Sequence, residues 1–306
     1  MNSWIIITDE RRTGGMLAAV RQLGGSATAA VVGARSLAET VAKAGFDKVL
    51  LFAAPENLPP EAYAAQVADA VAAAAPRLVV SSDMPSARVL LGAAAVKLNA
   101  AVAASVKAIA ARGDSILVTR SIAEGKLVEI LEVKGPAACI FDGEDVDQVA
   151  DRPTAIEEVP VRDPGGALRV VETTSVDADS AGLLTAAKVV GLGLGILTRD
   201  DLELIRDLAA AVHAEIACTL PVCDDMRWFD SSRVVGSSHS QIAPDLYIAV
   251  GISGQPQHMS GVRDAKTIVA INNDPEARIF KNCDYGILGD LYKLVPVLTA
   301  AFKAAG

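Results

Sequence analysis

The stretch that decides the fold is residues 246–261, which read Leu246-Tyr-Ile-Ala-Val250-Gly251-Ile-Ser253-Gly254-Gln-Pro-Gln-His258-Met-Ser-Gly261. Five apolar residues predict a buried parallel strand, the Gly-Ile-Ser-Gly run predicts a turn, and the residues after it are compatible with a helix. A turn between a strand and a helix directs backbone N–H groups towards one point, which suits a diphosphate. His258 is a candidate donor to an electron-rich ring, although a single histidine is more often a loop side chain satisfied by protein groups.

The rest of the second half continues the alternation of strands and helices. The predicted strands are 188–191, 215–220, 245–250, 267–272 and 285–288, and the predicted helices are 200–213 and 291–303. A second glycine turn, Gly191-Leu-Gly193-Leu-Gly195, follows the first of these strands. Its spacing differs from the GxGxxG pattern of dinucleotide-binding turns, so a purely structural turn explains it about as well as a phosphate-binding one.

The first half shows the same alternation and then turns to hairpins. Strands are predicted at 4–8, 28–32, 48–53 and 78–81, helices at 14–22, 36–45, 59–75 and 86–99, and further strand-like runs at 102–110, 115–121, 126–133, 137–141, 156–161 and 168–174. We therefore predict an α/β protein of two domains, each with a mostly parallel sheet flanked by helices. The predicted domains are 1–180 and 181–306, and the second is expected to be Rossmann-like.

The composition excludes several classes of partner. The chain has 306 residues, 51% hydrophobic side chains and a net charge of −9, which disfavours nucleic acid and anionic membrane surfaces. No signal peptide or membrane span is recognisable, and the four cysteines lack the spacing of a zinc site. We expect a cytoplasmic protein with no nucleic-acid partner, no membrane insertion and no metal.

Negative charge is concentrated in one segment. Residues 143–180 hold ten acidic side chains against three arginines, which is seven of the nine excess negative charges. We interpret the segment as the tail of the first domain followed by a hinge near 175–185. A charge run is usually a solvated face, and we favour that interpretation over an acidic docking site.

A long signature in the second half resembles the electron-transfer flavoprotein alpha subunit family. It comprises 246–254, Gln257-His258, Gly261, 267–277, Phe280, 284–287 and Asp290-Leu291. A looser resemblance extends over the whole chain. It implies that the second domain binds one FAD, while the first packs against an electron-transfer flavoprotein beta subunit.

The resemblance also implies a carrier function. Such a protein accepts electrons from dehydrogenases, typically of the acyl-CoA class that serves fatty acid β-oxidation, and passes them to a quinone-linked or other acceptor. A second version, working in reverse or in bifurcation, would instead drive an anaerobic enoyl-CoA or similar reductase. Because its side chains would make and break no substrate bond, we expect no enzymatic activity and no catalytic residue.

The site residues are carried over from the same resemblance. They are Val235, Gly236, Ser237, Ser238, Ser253, Gly254, Gln255, Pro256, Gln257, His258, Asn272, Asp290 and Leu291. By resemblance, His258 would donate to the flavin pyrimidine carbonyl and Ser238 would lie beside the redox-active ring nitrogen, whereas the last three residues would line the adenosine and diphosphate end. Ordinary alternatives remain open: a strand-end turn for Asn272, a loop hydroxyl for Ser238 and a helix cap for Asp290.

Two departures from the family pattern bear on the charge of the site. Leu192 and Leu220 stand where the family usually has arginine. Their loss would remove charge-assisted bonds and implies a weaker FAD site, a lower flavin potential, or a paralogue that serves an unusual partner. Arg199, Arg227 and Arg233 are candidate replacements.

Two other classes of function remain as alternatives. One is a degenerate paralogue that binds an adenine nucleotide without a redox function. The other is a structural subunit of a larger oxidoreductase or bifurcating complex. The intact run from Ser253 to His258 favours the carrier, since neither alternative needs all of it.

Overall fold

The computed structural model describes residues 1–55, 57–123, 125–165, 168–173 and 182–305. The chain divides into two compact units, 1–173 and 174–306. The predicted boundary at 180 lies within residues 174–181, outside the described residues, as does most of the predicted hinge near 175–185. Both units are α/β with mainly parallel sheets flanked by helices, so the predicted fold class is confirmed.

The described residues of the first unit build a nine-stranded sheet in the order β7-β6-β5-β8-β4-β1-β2-β3-β9. The strands are β1 Ser3–Ile7, β2 Ala27–Gly33, β3 Lys48–Ala53, β4 Leu78–Ser81, β5 Ala101–Arg112, β6 Ser115–Ile122, β7 Leu127–Val133, β8 Ala137–Phe141 and β9 Ile156–Glu158. The helices are α1 Thr13–Arg21, α2 Arg35–Ala42, α3 Ala64–Ala74 and α4 Pro85–Leu98. Neighbouring strands run parallel except in the β5-β6-β7 hairpins, which confirms the predicted hairpin extension.

Two details of this sheet differ from the sequence prediction. β8 does not extend the hairpins, because it returns between β4 and β5 and pairs with both in parallel. The predicted strand at 156–161 is only three residues long, and the described part of the run at 168–174 forms no strand. Pro160 comes two residues after β9. Because proline has no backbone N–H, it cannot donate the hydrogen bond that a longer strand would need.

Residues 144–158 of the acidic segment pack against the rest of the first unit. The carboxylate of Asp145 accepts hydrogen bonds from the N–H groups of Arg12 and Gly15 at the start of α1, where negative charge is favoured. Further along, β9 lies beside β3. Its acids pair with bases of the sheet and of α2, Glu157 with Lys48 and Glu158 with Arg35. Part of the charge run therefore has structural partners.

The described residues of the second unit build a five-stranded, fully parallel sheet in the order β11-β10-β12-β13-β14. The elements are β10 Lys188–Leu192, α5 Leu202–Val212, β11 Glu215–Cys218, α6 Leu220–Asp224, β12 Leu246–Val250, α7 Pro256–Ser260, β13 Ile268–Asn272, β14 Tyr285–Leu288 and α8 Leu291–Ala305. The strand predicted to reach residue 220 ends at 218, because Pro221 lacks a backbone donor and sits in the first turn of α6.

The strand order reverses between β10 and β12. In open parallel sheets, the crevice outside the carboxyl ends of the strands at such a reversal is where ligands bind. Apolar side chains fill both faces of the sheet, with α5 and α8 on one face and α7 on the other. The loops at the carboxyl edge of β10, β12 and β13 are thus the first place to look for a site.

The longest described helices are α4 with 14 residues and α8 with 15, whereas a bilayer-spanning helix needs about 20 apolar residues. Within the described ranges, no helix combines the length and apolar character that crossing a membrane requires.

Candidate functional site

The two glycine turns meet at the reversal point of the sheet. The N–H of Gly195 donates to the carbonyl oxygen of Gly251 at 3.0 Å, and the N–H of Gly193 donates to that of Val250 at 3.0 Å. A Cβ atom added to Gly195 would lie 2.6 Å from the Cα atom of Gly251. The turn at 191–195, which the sequence left open, therefore serves close packing of one backbone on another.

The turn after β12 is shaped by Gly254. Its φ is +79°, and a Cβ atom there would lie 2.3 Å from the nitrogen of Ile279. That nitrogen donates to the carbonyl oxygen of Ser253 at 3.1 Å, which ties the loop after β12 to the loop after β13. Only glycine meets both requirements, a left-handed backbone and direct contact with a neighbouring chain segment.

Three successive donors of this turn are free to bind a ligand. The N–H groups of Ser253, Gly254 and Gln255 donate to no acceptor among the residues that the structure describes. Gly254 is buried, and a buried backbone donor without a protein partner is uncommon and needs another acceptor, whereas the exposed N–H groups of Ser253 and Gln255 can bond to water or to a ligand. Successive N–H groups in a turn form a concavity that binds anions such as phosphate.

Asn272 links the same loops. Its side-chain amide donates to the carbonyl oxygen of Ile252 at 2.9 Å, and its side-chain oxygen accepts from the N–H of Asp274 at 2.9 Å. Its backbone oxygen accepts from the N–H of Gly289. The buried side chain is a strand-end brace, which agrees with the alternative that the sequence offered for it.

His258 is buried in α7 with both ring nitrogens bonded to protein groups. Its Nδ1 lies 3.0 Å from the carbonyl oxygen of Val235, and its Nε2 lies 2.9 Å from the hydroxyl of Tyr247. A carbonyl oxygen only accepts, so Nδ1 carries the proton and Nε2 accepts from the tyrosine. Burial raises the pKa of Tyr247 and keeps that hydroxyl protonated. The predicted donation from His258 to a flavin carbonyl would require one of these bonds to break.

The segment 235–238 is held against α7 by this histidine and by the backbone. The N–H of Ser237 donates to the carbonyl oxygen of Gln257 at 2.8 Å. A Cβ atom on Gly261 would lie 2.4 Å from the nitrogen of Gly236. Folding thus brings together two predicted site segments, 235–238 and 253–258, that are separate in the sequence. Ser238 is exposed, with its hydroxyl 3.2 Å from Nδ1 of His239.

The remaining predicted residues lie along the same edge of the sheet. Pro256 occupies the first turn of α7, and Gln255 and Gln257 are exposed beside it. Asp290 caps α8, since its carboxylate accepts from the N–H of Tyr292 at 2.9 Å. Leu291 is buried in the core, where it packs rather than faces a ligand.

The two leucines that depart from the family pattern have different surroundings. Leu192 is fully buried at the end of β10, in a core position where an arginine would be costly. The exposed residue of that turn is Leu194, at 50% exposure. Leu220, at 38% exposure, begins α6. Of the candidate replacements, Arg233 pairs with Glu215 near the amino end of β11, away from the site.

Sequence reasoning missed Arg278. Its Nη1 donates to Oε1 of Gln255 at 3.1 Å, which places a guanidinium beside the turn that carries the three unpartnered donors. Arg278 follows β13 and is 23 positions from Gln255, so no local pattern signalled the contact. Tyr247, the partner of His258, was likewise predicted only as a strand residue.

Acid should destabilise the second unit through His258. Burial lowers the pKa of His258 from its ordinary 6.5 to about 4. Between these values the unfolded chain binds a proton that the folded one rejects, so this contribution is complete above pH 6.5 and is lost as the pH falls towards 4. The free energy of unfolding should fall by about 3 kcal/mol once the pH is at or below 4.

The measurement is urea unfolding at pH 7.5 and 4.5, followed by fluorescence of Trp228 in a Trp4→Phe background. The His258→Gln variant should be less stable at pH 7.5 but lose about 2 kcal/mol less on acidification, because the glutamine at position 258 does not titrate. If acidification lowered the free energy of unfolding equally in the parent and in His258→Gln, the assigned neutral state of His258 would be contradicted.

Known protein families match both units. The family model described as "Electron transfer flavoprotein domain" matches residues 13–164, and the model described as "Electron transfer flavoprotein FAD-binding domain" matches residues 182–263.

Relatives match over most of their length. The Escherichia coli K12 protein named "Putative electron transfer flavoprotein subunit YdiR" is 33% identical over 242 residues, 78% of each chain. Protein FixB of Escherichia coli O81 strain ED1a is 34% identical over 254 residues, 81% of this chain and 80% of that one. Protein FixB of Salmonella paratyphi A is 31% identical over 306 residues, 97% of each.

Proposed function

Because this chain belongs to the electron transfer flavoprotein alpha family, with an FAD-binding domain in its second half, we propose that it is the FAD-bearing half of an electron carrier. In this proposal it pairs with a beta subunit, which contacts the first domain, 1–180, while the second domain, 181–306, holds FAD. It takes electrons from a dehydrogenase of the acyl-CoA type and delivers them to a quinone-linked or other acceptor in the cytoplasm. Its own side chains catalyse no reaction.

The observation that carries the proposal is the set of unpartnered donors at Ser253, Gly254 and Gln255. They lie at the carboxyl edge of the sheet, next to its reversal point, where dinucleotides bind in such folds. A diphosphate supplies the acceptors that the described protein residues lack. The residues present therefore fit FAD.

FAD supplies the redox chemistry when bound, and the chain supplies position and polarity. The turn from Ser253 to Gln255 and the start of α7 would hold the diphosphate. Ser238 is exposed on the neighbouring loop and is the hydroxyl proposed to face the flavin ring. His258 acts through the protein: its bond to the Val235 carbonyl fixes that loop against β12. Asn272 holds the loops after β12 and β13 together through its hydrogen bond to the Ile252 carbonyl oxygen.

Co-expression with an electron-transfer flavoprotein beta subunit tests the proposal. We expect a yellow heterodimer with about one FAD per pair, reduced by an acyl-CoA dehydrogenase and its substrate. Colourless protein that rejects added FAD, even with its partner, would overturn the proposal. An adenine-nucleotide protein would instead be thermally stabilised by AMP, ADP or ATP and not by FAD. For a purely structural subunit, Ser238→Ala would leave electron transfer unchanged.

Restoring a cation at the missing arginine position should strengthen the site. Leu220 is partly exposed, so arginine can replace it without burying a charge. If the start of α6 faces the flavin, Leu220→Arg should raise the reduction potential of the flavin. It should also tighten FAD binding about tenfold, since hydrogen bonds to charged groups contribute about 1.5 to 3 kcal/mol. Spectroelectrochemical titration and FAD binding measure the two effects.

Leu197→Arg is the matched control, because Leu197 is exposed in the loop after β10 at 69%. It adds the same charge outside the positions that the resemblance assigns to the site. Equal effects of Leu197→Arg and Leu220→Arg would indicate a general charge effect and argue against a position beside the flavin.

A further inference from the structure

We propose that Arg278 is a cofactor-binding residue, whose guanidinium provides positive charge to the diphosphate of FAD. This inference rests on the proposed function and deepens it. It also offers a substitute for the arginine that the family resemblance would place at Leu220.

The backbone fixes Arg278 beside the turn. The N–H of Ile279, the next residue, donates to the carbonyl oxygen of Ser253 at 3.1 Å. A Cβ atom on Gly254 would lie 2.9 Å from the carbonyl carbon of Arg278 itself. The residue thus lies against the turn whose N–H groups lack protein acceptors, and its side chain reaches Gln255 on the far side of Gly254.

The charge of Arg278 is available to a ligand. Within the described part of the chain, no carboxylate oxygen lies within 4.0 Å of its guanidinium. Its one side-chain hydrogen bond goes to the neutral amide of Gln255 and uses one of its five N–H donors. The side chain is exposed, and the remaining planar fork matches the geometry of phosphate oxygens.

The other candidate cations are less suitable. Arg233 is paired with Glu215. Arg199 and Arg227 are exposed in the loops after β10 and α6, and among the described residues neither side chain bonds to the turn after β12. Among the described residues, Arg278 is the one of these four whose side chain hydrogen-bonds to a residue of the 253–258 run, so we assign the diphosphate charge to it.

The experiment measures FAD binding to the heterodimer after the flavin has been removed. Arg278→Gln should weaken FAD binding about 10- to 100-fold and flatten the dependence of the dissociation constant on salt, because one ionic contact is lost. Arg278→Lys, which keeps the charge but loses the fork, should fall in between. Riboflavin, which has no phosphate, should bind all variants alike.

Arg263→Gln is the control, since Arg263 is exposed in the same unit and its loss changes the net charge equally. It should bind FAD within about twofold of the parent at moderate ionic strength, where distant surface charges are screened. Unchanged melting temperatures of the flavin-free variants would show that the fold is intact.

The outcomes separate this inference from the proposed function. A parent heterodimer that binds no FAD would overturn both. A parent that binds FAD, with Arg278→Gln no weaker than Arg263→Gln, would overturn only the inference. Equal losses for Arg278→Gln and Arg278→Lys, with the salt dependence unchanged, would assign Arg278 to loop structure and also overturn it.

Discussion

Replacing Gly254 by alanine is expected to abolish stoichiometric FAD binding. The residue has a φ of +79°, which costs an alanine about 1 to 2 kcal/mol. The added methyl group would also lie 2.3 Å from the nitrogen and 2.5 Å from the Cα atom of Ile279, both backbone atoms that cannot rotate away. The loops after β12 and β13 must separate, so the Ser253 carbonyl loses its bond to Ile279 and the turn that carries the three unpartnered N–H groups is displaced.

The measurement is the FAD content of the purified heterodimer, together with the dissociation constant of added FAD, which should rise at least about 100-fold through strain and loss of preorganised donors. Gly24→Ala is the matched control. Gly24 has a φ of +69°, and its added Cβ atom would meet nothing within 4 Å. It should cost about 1 kcal/mol of stability and leave FAD binding unchanged. Normal FAD content in Gly254→Ala would show that the turn does not hold the cofactor.

Replacing Gly191 by alanine is expected to destabilise the second unit by about 3 kcal/mol or more, the upper range for overpacked cores. Gly191 lies in β10 between Ala217 of β11 and Ala249 of β12. A methyl group there would lie 1.8 Å from the hydroxyl oxygen and 2.4 Å from the Cζ atom of Tyr247. Tyr247 is fully buried, so its ring can move only by breaking the bond to His258.

Urea unfolding of the Trp4→Phe protein, followed through Trp228, measures this loss. Tyr247→Phe alone should cost about 1 to 2 kcal/mol, because it leaves Nε2 of His258 without a donor. The double variant should be more stable than the sum of the two changes predicts, since the nearest clashing atom is gone.

Gly92→Ala is the control for the substitution itself: Gly92 is exposed in α4 with open space around it. It should stabilise the first unit by about 0.5 to 1 kcal/mol, measured through Trp4 in a Trp228→Phe background. Wild-type stability of Gly191→Ala would contradict the packing of Tyr247 on β10.

The same contacts show where prediction from sequence succeeded and where it failed. The strands at 48–53, 78–81 and 285–288 were predicted to the residue, because a short, continuous apolar run between turn residues is typical of a buried strand. β8 was assigned to a hairpin extension because the apolar pattern of a segment predicts that it forms a strand but not which strands it pairs with. Leu192 was placed in the turn after the strand, although it is the last residue of β10, because a run of alternating glycines does not reveal where the strand ends.

The sequence by itself determined the α/β class, the glycine turns and the long run that marks the family. These depend on local properties: apolar periodicity, the absence of a Cβ atom in glycine, and residue types at short spacing. Only the tertiary structure decided that His258 faces Tyr247 and Val235, that Leu194 and not Leu192 is exposed, and that Arg278 reaches Gln255. Both of the long-range contacts, from His258 to Val235 and from Arg278 to Gln255, join residues 23 positions apart. The first depends on Val235, whose N–H bonds to Cys218 at the end of β11, and the second on β12 and β13 being adjacent, and strand order and register are set by packing of the whole unit.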